Sequence, residues 1–224
     1  MSQQPDPFET DFTPELVVRA YQAGIFPMSE SEDDPEVFWV CPELRGVIPL
    51  DGFKTSKSLR KTLKNNRYSI KIDNDFEQVI HGCAHYGSER QSTWINPTIA
   101  NVYGQLFERK ICHTVEIWDE NKLVGGLYGL AIGAAFFGES MFHRQPNTSK
   151  IALAHLVQRL KFGGFSLLDT QFISPHLQTL GAIEISREEY EKHLKQALLE
   201  EGDFYRLSGV GTSEDCLHET SHIS

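Results

Sequence analysis

The sequence predicts an α+β protein built around a mixed sheet. Helical patterns come first, then several strand-like runs, a further helix, a strand and a last helix. Residues 114–142 have the pattern of successive antiparallel strands, with a first turn at 119–121. Ser, Thr and Asn precede the helical patterns in the position of N-caps. Successive strands between helices are typical of an α+β domain.

The first part of the chain predicts one helix and then an irregular, acidic stretch. Thr13 has the position of an N-cap, a proline follows it directly, and Gly24 has the position of a terminator. Apolar residues resume at Phe38, and this run ends at Pro42. We place an approximate domain boundary near residues 43–52.

This boundary predicts three parts of unequal size. They are a small N-terminal domain over residues 1–45, a larger domain over 46–205 and a C-terminal tail over 206–224. Both ends of the chain are polar and rich in turn-forming residues, which is typical of loose tails. The packed core is therefore expected in the middle part.

The larger domain begins with helices and strands in alternation. Its first predicted elements are a helix capped by Thr55 or Ser56, a strand with Tyr68, Ile70 and Ile72 on one face, a helix around 75–85 and a helix opened by Asn96 and Pro97. After the antiparallel strands we expect a helix from Ser149 to Gly163, a strand over 166–172, a short helix from Ser174, a strand over 183–185 and a helix capped by Ser186.

The composition is that of a soluble protein with a substantial core. Hydrophobic residues make up 40% and charged residues 23% of 224 residues, and no apolar run approaches the ~20 residues that span a bilayer. The N-terminus has no basic region followed by an apolar core, so we expect no secretory signal. The net charge of −10 argues against broad binding to nucleic acid, but it leaves room for a local basic face. The cysteines lack paired spacing, which favours reduced thiols in the cytoplasm: Cys41, Cys83, Cys112 and Cys216.

Two polar interruptions of buried, strand-like sequence are the first candidates for a site. Glu139 and Asp169 both lie among apolar residues, and a carboxylate removed from water without a partner is costly. Asp169 and Gln171 are two residues apart on a strand, which places a carboxylate and an amide on one face. The pair either orients an amine or a water, or closes a strand end as a structural pair. Ser140 lacks the Gly-x-Ser-x-Gly elbow of serine hydrolases, which disfavours nucleophilic catalysis.

Apolar residues beside these interruptions have two possible roles. Leu127, Phe136, Phe137 and Met141 either line a pocket for an apolar side chain or pack in the core, and core packing is the commoner role for each. Trp94 stands at a helix start, where its flat ring could stack on a ligand.

A dense basic cluster interrupts the acidic chain. On the predicted helix Lys57, Lys61 and Lys64 share one face, which is either a solvated helix face or a contact for phosphate groups. The cluster consists of Lys54, Lys57, Arg60, Lys61, Lys64 and Arg67. His81 and His85 have a spacing that can share a metal, but no further ligand completes the shell, so we expect no metal.

Six short motifs occur in a specific order along the chain. They are AYQAGIFP (20–27), TWI (93–95), VGGLYG (124–129), GESMF (138–142), DTQ (169–171) and LGA (180–182). In these motifs, and over about residues 13–200, the chain resembles the leucyl/phenylalanyl-tRNA–protein transferases, which are bacterial aminoacyltransferases of the N-degron pathway.

The resemblance implies transfer of Leu or Phe, and less well Met, from aminoacyl-tRNA to the α-amine of proteins that begin with Arg or Lys. The added residue marks the protein for degradation. The implied fold is a small N-terminal domain followed by a GNAT-like domain, that is, one similar to the GNAT-type acetyltransferases. The resemblance implies cytoplasmic location, aminoacyl-tRNA and protein substrates as partners, no membrane, and neither a metal nor any other cofactor.

The resemblance also implies roles for single residues. Asp169 and Gln171 match the pair at the reaction centre, where Gln171 takes up or positions the α-amine and Asp169 polarises it. Glu139 matches a carboxylate that organises the site. Aromatic positions that hold the 3′ adenosine and the acceptor peptide match Tyr21, Trp94 and Tyr103. The pocket for the aminoacyl side chain would be lined by Leu127, Phe136, Met141 and Leu168.

Two other functions remain as alternatives. An N-acetyltransferase that uses acetyl-CoA needs a glycine-rich turn for the pyrophosphate, and residues 143–149 contain no glycine. If the protein were a non-catalytic RNA- or peptide-binding module, Asp169 and Gln171 would have no catalytic role.

Overall fold

The computed structural model describes residues 12–65, 67–85 and 93–207. Its helices in these ranges are α1 (Pro14–Gln22), α2 (Lys57–Lys64), α3 (Phe76–His85), α4 (Pro97–Glu108), α5 (Thr148–Phe162), α6 (Pro175–Thr179) and α7 (Arg187–Leu199). Its strands are β1 (Phe26–Met28), β2 (Phe38–Val40), β3 (Leu44–Val47), β4 (Ser69–Ile72), β5 (Cys112–Asp119), β6 (Lys122–Ile132), β7 (Ala135–His143), β8 (Leu167–Gln171) and β9 (Ile183–Ser186).

A seven-stranded sheet forms the centre of the molecule, in the order β4-β5-β6-β7-β8-β3-β9. Neighbouring strands are antiparallel except β7 and β8, which run parallel. A parallel pair needs a long crossover, and the 15-residue helix α5 provides it. The expected mixed, mainly antiparallel sheet is confirmed. β1 and β2 form a separate two-stranded antiparallel sheet.

Side-chain caps start most helices at the residues predicted from the sequence. The capping side chains each accept a hydrogen bond from a backbone N–H three residues on: Thr13, Ser56, Asn96, Ser174 and Ser186. Helix α5 is different, because it begins at Thr148 rather than at the predicted Ser149. The preceding Asn147 has a φ of 69° and makes no capping bond with its side chain.

Apolar layers cover both faces of the sheet. Helices α2, α5 and α6 pack on one face, and α1, α3, α4 and α7 on the other. Neighbouring side chains of β7 divide between the layers, Phe136 with the first group and Phe137 with the second. Because both faces of the sheet are covered, β5 and β6 are buried along almost their whole length.

Strand β3 was not predicted from the sequence, and it lies at the expected domain boundary. It lies between β8 and β9 and pairs with both, with Val47 opposite Asp169 and Leu44 opposite Ser186. The expected boundary between residues 45 and 46 therefore falls inside a strand of the central sheet. The division into domains over 1–45 and 46–205 stays a prediction.

Other expectations meet the structure only in part. None of the described helices is long and apolar enough to cross a bilayer. Cys83 and Cys112 are buried and Cys41 is exposed, while Cys216 lies outside the described residues. Most of both predicted tails, residues 1–11 and 208–224, also lies outside them.

Candidate active site

Glu139, near the middle of β7, is held by two tyrosine hydroxyls that come from different helices. Tyr21 of α1 donates to Oε1 at 2.7 Å, and Tyr103 of α4 donates to Oε2 at 3.2 Å. The two hydroxyl oxygens are themselves 2.7 Å apart. Both tyrosines are fully buried, so α1 and α4 fix the carboxyl group from the side of the sheet on which they pack.

Burial favours a protonated Glu139. Burial raises the pKa of Glu139 to about 8, although the hydrogen bonds from Tyr21 and Tyr103 lower it. Burial and the nearby Glu139 raise the pKa of both tyrosines well above the usual range, so both hydroxyls keep their protons. With Glu139 protonated, its proton and the two tyrosine protons can serve all three oxygen–oxygen contacts, and one tyrosine then accepts from the carboxyl group instead of donating to it. With Glu139 ionised, one of these contacts has no proton.

Asp169 of β8 forms a buried ion pair with Arg45 of β3. The guanidinium donates from Nε at 3.0 Å to Oδ1 and from Nη2 at 2.7 Å to Oδ2, and Tyr190 of α7 donates to Oδ2 at 2.7 Å. The Arg45 guanidinium also lies between the rings of Phe26 and Tyr190, 4.6 Å and 4.5 Å from their centroids. Burial lowers the pKa of Arg45, but Asp169 outweighs this effect and the pKa is raised. Arg45 was missed from the sequence because β3 was missed.

Gln171 ends β8 in a conformation that the sequence did not predict. Its φ is 56°, in the left-handed region, and its backbone N–H donates to Oδ1 of Asp169 at 2.8 Å. The expectation that Asp169 and Gln171 share one face assumed a regular extended strand, which Gln171 does not continue, so the shared face stays a prediction. Gly46 lies opposite Gln171, and a Cβ there would come within 2.8 Å of the Phe172 carbonyl oxygen. The turn after β8 therefore passes so close to Gly46 that a side chain at this position would collide with it.

The side-chain amide of Gln171 is buried, and its nitrogen is available to donate a hydrogen bond to a substrate. Its Nε2 atom has no hydrogen-bond partner among the described residues, and only 7% of the residue is exposed. A buried polar group without a partner costs about 1–3 kcal/mol, so such groups in native proteins require an explanation. A substrate that supplies the missing acceptor is one such explanation.

An apolar cavity of about 100 Å³ lies beside Glu139. Leu127, Met141 and Leu168 line it, as expected, and Thr170 of the Asp-Thr-Gln motif is on its wall. Phe136 is placed differently, because its buried ring stacks on Phe204 at 5.6 Å and does not line this cavity. The remaining walls, which sequence reasoning did not find, come from Tyr128, Gly138, Ser140, Leu153, Leu156 and Leu177.

The three aromatic residues expected to hold the substrate lie in two kinds of environment. Trp94 is partly buried, and its backbone carbonyl accepts a hydrogen bond from Ser29 at 2.8 Å. Tyr21 and Tyr103 have no exposed ring surface, so stacking of an adenine on them is not possible in this structure. Their hydroxyls act on Glu139 instead, as described above.

The basic cluster lies on the surface, around α2. The side chains of Lys54, Lys57, Arg60, Lys61 and Lys64 are all exposed, whereas Arg67 forms an ion pair with Asp119. The backbone N–H of Lys54 donates to the carbonyl of Leu180 at 2.9 Å, just after α6. This hydrogen bond joins the segment before α2 to the end of α6, the helix that contributes Leu177 to the cavity. Among the described residues no three His, Cys, Asp or Glu side chains are grouped to hold a metal.

The family models of known proteins decide between the alternatives. One, described as leucyl/phenylalanyl-tRNA protein transferase, matches residues 47–195, and another, described as the N-terminal domain of that enzyme, matches residues 10–43. The chain belongs to the leucyl/phenylalanyl-tRNA–protein transferase family. Curated members of this transferase family from Afipia carboxidovorans and Rhodopseudomonas palustris are each 52% identical to the chain over 202 residues. These matches cover 90% of this chain and 89% and 88% of the two relatives.

Two solved structures resemble this chain weakly. The C-terminal domain of a lysylphosphatidylglycerol synthetase from Agrobacterium fabrum matches with a TM-score of 0.39 and 12% identity. The match covers 75% of this chain and 55% of that one. At this level it indicates neither a common ligand nor a common activity.

Proposed function

We propose that the protein transfers Leu or Phe, and less well Met, from aminoacyl-tRNA to the N-terminal α-amine of proteins that begin with Arg or Lys. One observation carries this proposal. In a chain of this transferase family, a leucine-lined cavity lies against the partly buried carboxyl group of Glu139 and against Thr170 of the Asp-Thr-Gln motif. Addition of Leu or Phe would mark the acceptor for degradation in the cytoplasm.

The cavity suits the side chain of the donor amino acid. Its volume of about 100 Å³ is roughly that of three waters in the liquid, at ~30 Å³ each, which is room for a branched four-carbon group. Met141 has the flexible side chain that adapts a wall to different apolar groups. One methylene is worth only ~1–3 kcal/mol in such a pocket. Ile and Val should therefore be rejected by steric misfit at Cβ.

The transfer reaction requires the protein to align the amine with the ester more than to activate the ester. An aminoacyl ester is already reactive, so the protein mainly has to hold the α-amine against the ester carbonyl carbon. The new amide C–N bond forms, the ester C–O bond breaks, and the 3′ oxygen of the tRNA leaves with a proton. Gln171 positions the amine by accepting its N–H on the amide oxygen, while the unpartnered Nε2 of Gln171 can donate to the ester carbonyl oxygen. Asp169 accepts from the backbone N–H of Gln171 and so acts on the Gln171 backbone rather than on its amide.

Glu139 is suited to exchange a proton with the acceptor. Its pKa of about 8 lies close to the ~7.7–8.0 of an α-amino group, and proton transfer is most efficient between groups of similar pKa. Tyr21 and Tyr103 hold the carboxyl group in place during the exchange. The net charge of −10 also favours acceptors with a basic first residue.

The tRNA would bind through the exposed basic side chains around α2. Lysine and arginine contacts to phosphates supply sequence-independent affinity for nucleic acid. We also infer a small N-terminal domain and a GNAT-like catalytic domain. The mixed sheet with one parallel pair and an α5 crossover supports the second.

Transfer of leucine is the direct test. The purified protein is incubated with Leu-tRNA and a peptide that begins with Arg, and mass spectrometry detects leucine at the peptide's N-terminus. A peptide identical except for a first Glu is the matched control, and Ile-tRNA is the control donor. Addition of leucine to the Arg peptide alone supports the proposal. A folded protein that binds tRNA and transfers no leucine, or that acetylates the peptide from acetyl-CoA instead, contradicts it.

A further inference from the structure

Three basic residues lie on three different elements that line the cavity, each close in sequence to a lining residue. His143 lies two residues after the cavity residue Met141 on β7, so the two side chains point to the same face. Lys150 lies one turn before Leu153 on α5, and His176 directly precedes Leu177 on α6. We call His143, Lys150 and His176 the rim cluster.

Lys150 gives the rim cluster a permanent positive charge. Burial lowers the pKa of His176, and the positive charges of Lys150 and His143 lower it further, which places both groups near His176. No carboxylate of the described residues forms an ion pair with Lys150. Among the described residues that line the cavity, Glu139 is the one carboxyl group, and its pKa of about 8 keeps it largely neutral at pH 7.

The donor substrate carries a negative charge that the cation of the rim cluster could bind. In an aminoacyl-tRNA the ester and the 5′ phosphate belong to the same terminal ribose. When the aminoacyl side chain occupies the cavity, that ribose lies at the mouth and its phosphate lies one sugar away. A lysine with two histidines is a suitable binding site for a single phosphodiester.

We infer that the rim cluster, with Lys150 as its permanent cation, binds the phosphodiester on the 5′ side of the terminal adenosine. This inference rests on the proposed function, because it requires an aminoacyl ester in the cavity. It is separate from the contacts proposed for α2, which concern phosphates elsewhere on the tRNA. Binding at the rim holds the ester carbonyl at a fixed distance from Glu139 and Gln171.

Two small probes separate the phosphate contact from the rest of the donor. The first is 3′-amino-3′-deoxyadenosine acylated with leucine, a stable amide in place of the ester. The second is the same compound with a 5′ phosphate. Calorimetry measures Kd for both probes on the wild-type protein, on Lys150→Met and on the control Lys195→Met, an exposed lysine on α7.

The expected result is a phosphate effect that depends on Lys150. The phosphorylated probe should bind wild type and Lys195→Met roughly tenfold more tightly than the other probe, as one charge-assisted contact would give. In Lys150→Met this advantage should disappear while the unphosphorylated probe binds unchanged. In the wild type, NMR should show the pKa of His176 rise on addition of the phosphorylated probe only.

Each other outcome overturns the inference in a recognisable way. No phosphate advantage in the wild type, or an equal advantage in Lys150→Met, removes the rim cluster as a phosphate site. Equal weakening of both probes in Lys150→Met makes Lys150 a support of the cavity. If neither probe binds the wild type, the proposed function itself fails.

Discussion

At the scale of single residues, Glu139 is the group whose charge state matters most. Its pKa is about 8 in the folded protein against an ordinary 4.5, so between these values the folded chain holds a proton that the unfolded chain has lost. The stabilising contribution of protonated Glu139 is complete below pH 4.5 and is lost as the pH rises through 8. The three contacts among Glu139, Tyr21 and Tyr103 lose one proton over the same range.

The variant Glu139→Gln should remove this pH dependence. Between pH 6 and pH 8 the wild type should lose about 2 kcal/mol of unfolding free energy relative to Glu139→Gln, whose amide stays neutral. Urea denaturation of both proteins at the two pH values measures the difference. Curves that stay parallel from pH 6 to pH 8 would show that Glu139 ionises normally.

Arg45 is the second residue on which the site depends. Replacement by Met leaves the buried Asp169 without its cation, which should lower the unfolding free energy by about 3–5 kcal/mol. Leucine transfer should fall as well, because Asp169 orients the backbone of Gln171. Thermal unfolding and the transfer assay measure the two effects.

Arg67 provides a matched control for Arg45. It also pairs with an aspartate, Asp119, but on the exposed surface, where ion pairs contribute little. Arg67→Met should therefore leave the unfolding temperature almost unchanged. Similar losses in the two variants would contradict the special role assigned to the buried pair.

At the scale of elements, helix α2 has two faces with different tasks. Leu59 and Leu63 are fully buried, and they fix the helix to the sheet. The lysines on the outer face make no such contact and are proposed to meet tRNA phosphates. The two tasks can therefore be separated by mutation.

Charge reversal on the outer face of α2 should weaken tRNA binding without unfolding the helix. In Lys57→Glu/Lys61→Glu the salt dependence of the tRNA Kd should become shallower by about 1 per lysine removed. The control Lys192→Glu/Lys195→Glu reverses the same number of charges on the exposed face of α7. Filter binding at several salt concentrations measures both slopes. Equal slopes in the two double variants would exclude α2 as the phosphate-binding element.

At the scale of the whole molecule, local signals predicted the elements and long-range pairing decided the site. Caps such as Thr13 and Asn96 and the alternation over 114–142 depend on neighbouring residues, so sequence reasoning could find them. Strand β3 has four residues, and its partners lie more than 120 residues further along the chain. Nothing local indicates that pairing, so the sequence did not reveal that Arg45 faces Asp169.

The lining of the cavity could likewise be predicted only in part from the sequence. Leu127 and Met141 belong to the motifs of the family resemblance, Leu168 directly precedes one of them, and all three line the cavity. Leu153 and Leu156 lie on α5, where helical period predicts burial but cannot say which buried side chains face an empty space. Gln171 was named from its motif, but a φ of 56° for a non-glycine residue has no sequence signal.

The most direct test of the account is the rate of leucine transfer by Met141→Trp. Met141 is partly exposed and lines the cavity, so a larger ring should fill the space without displacing the core. The transfer rate from Leu-tRNA to the Arg peptide should fall by about 100-fold, because the ester can no longer reach its position, while tRNA affinity and unfolding temperature stay unchanged. Transfer at the wild-type rate by a folded Met141→Trp protein would contradict the claim that this cavity receives the aminoacyl side chain.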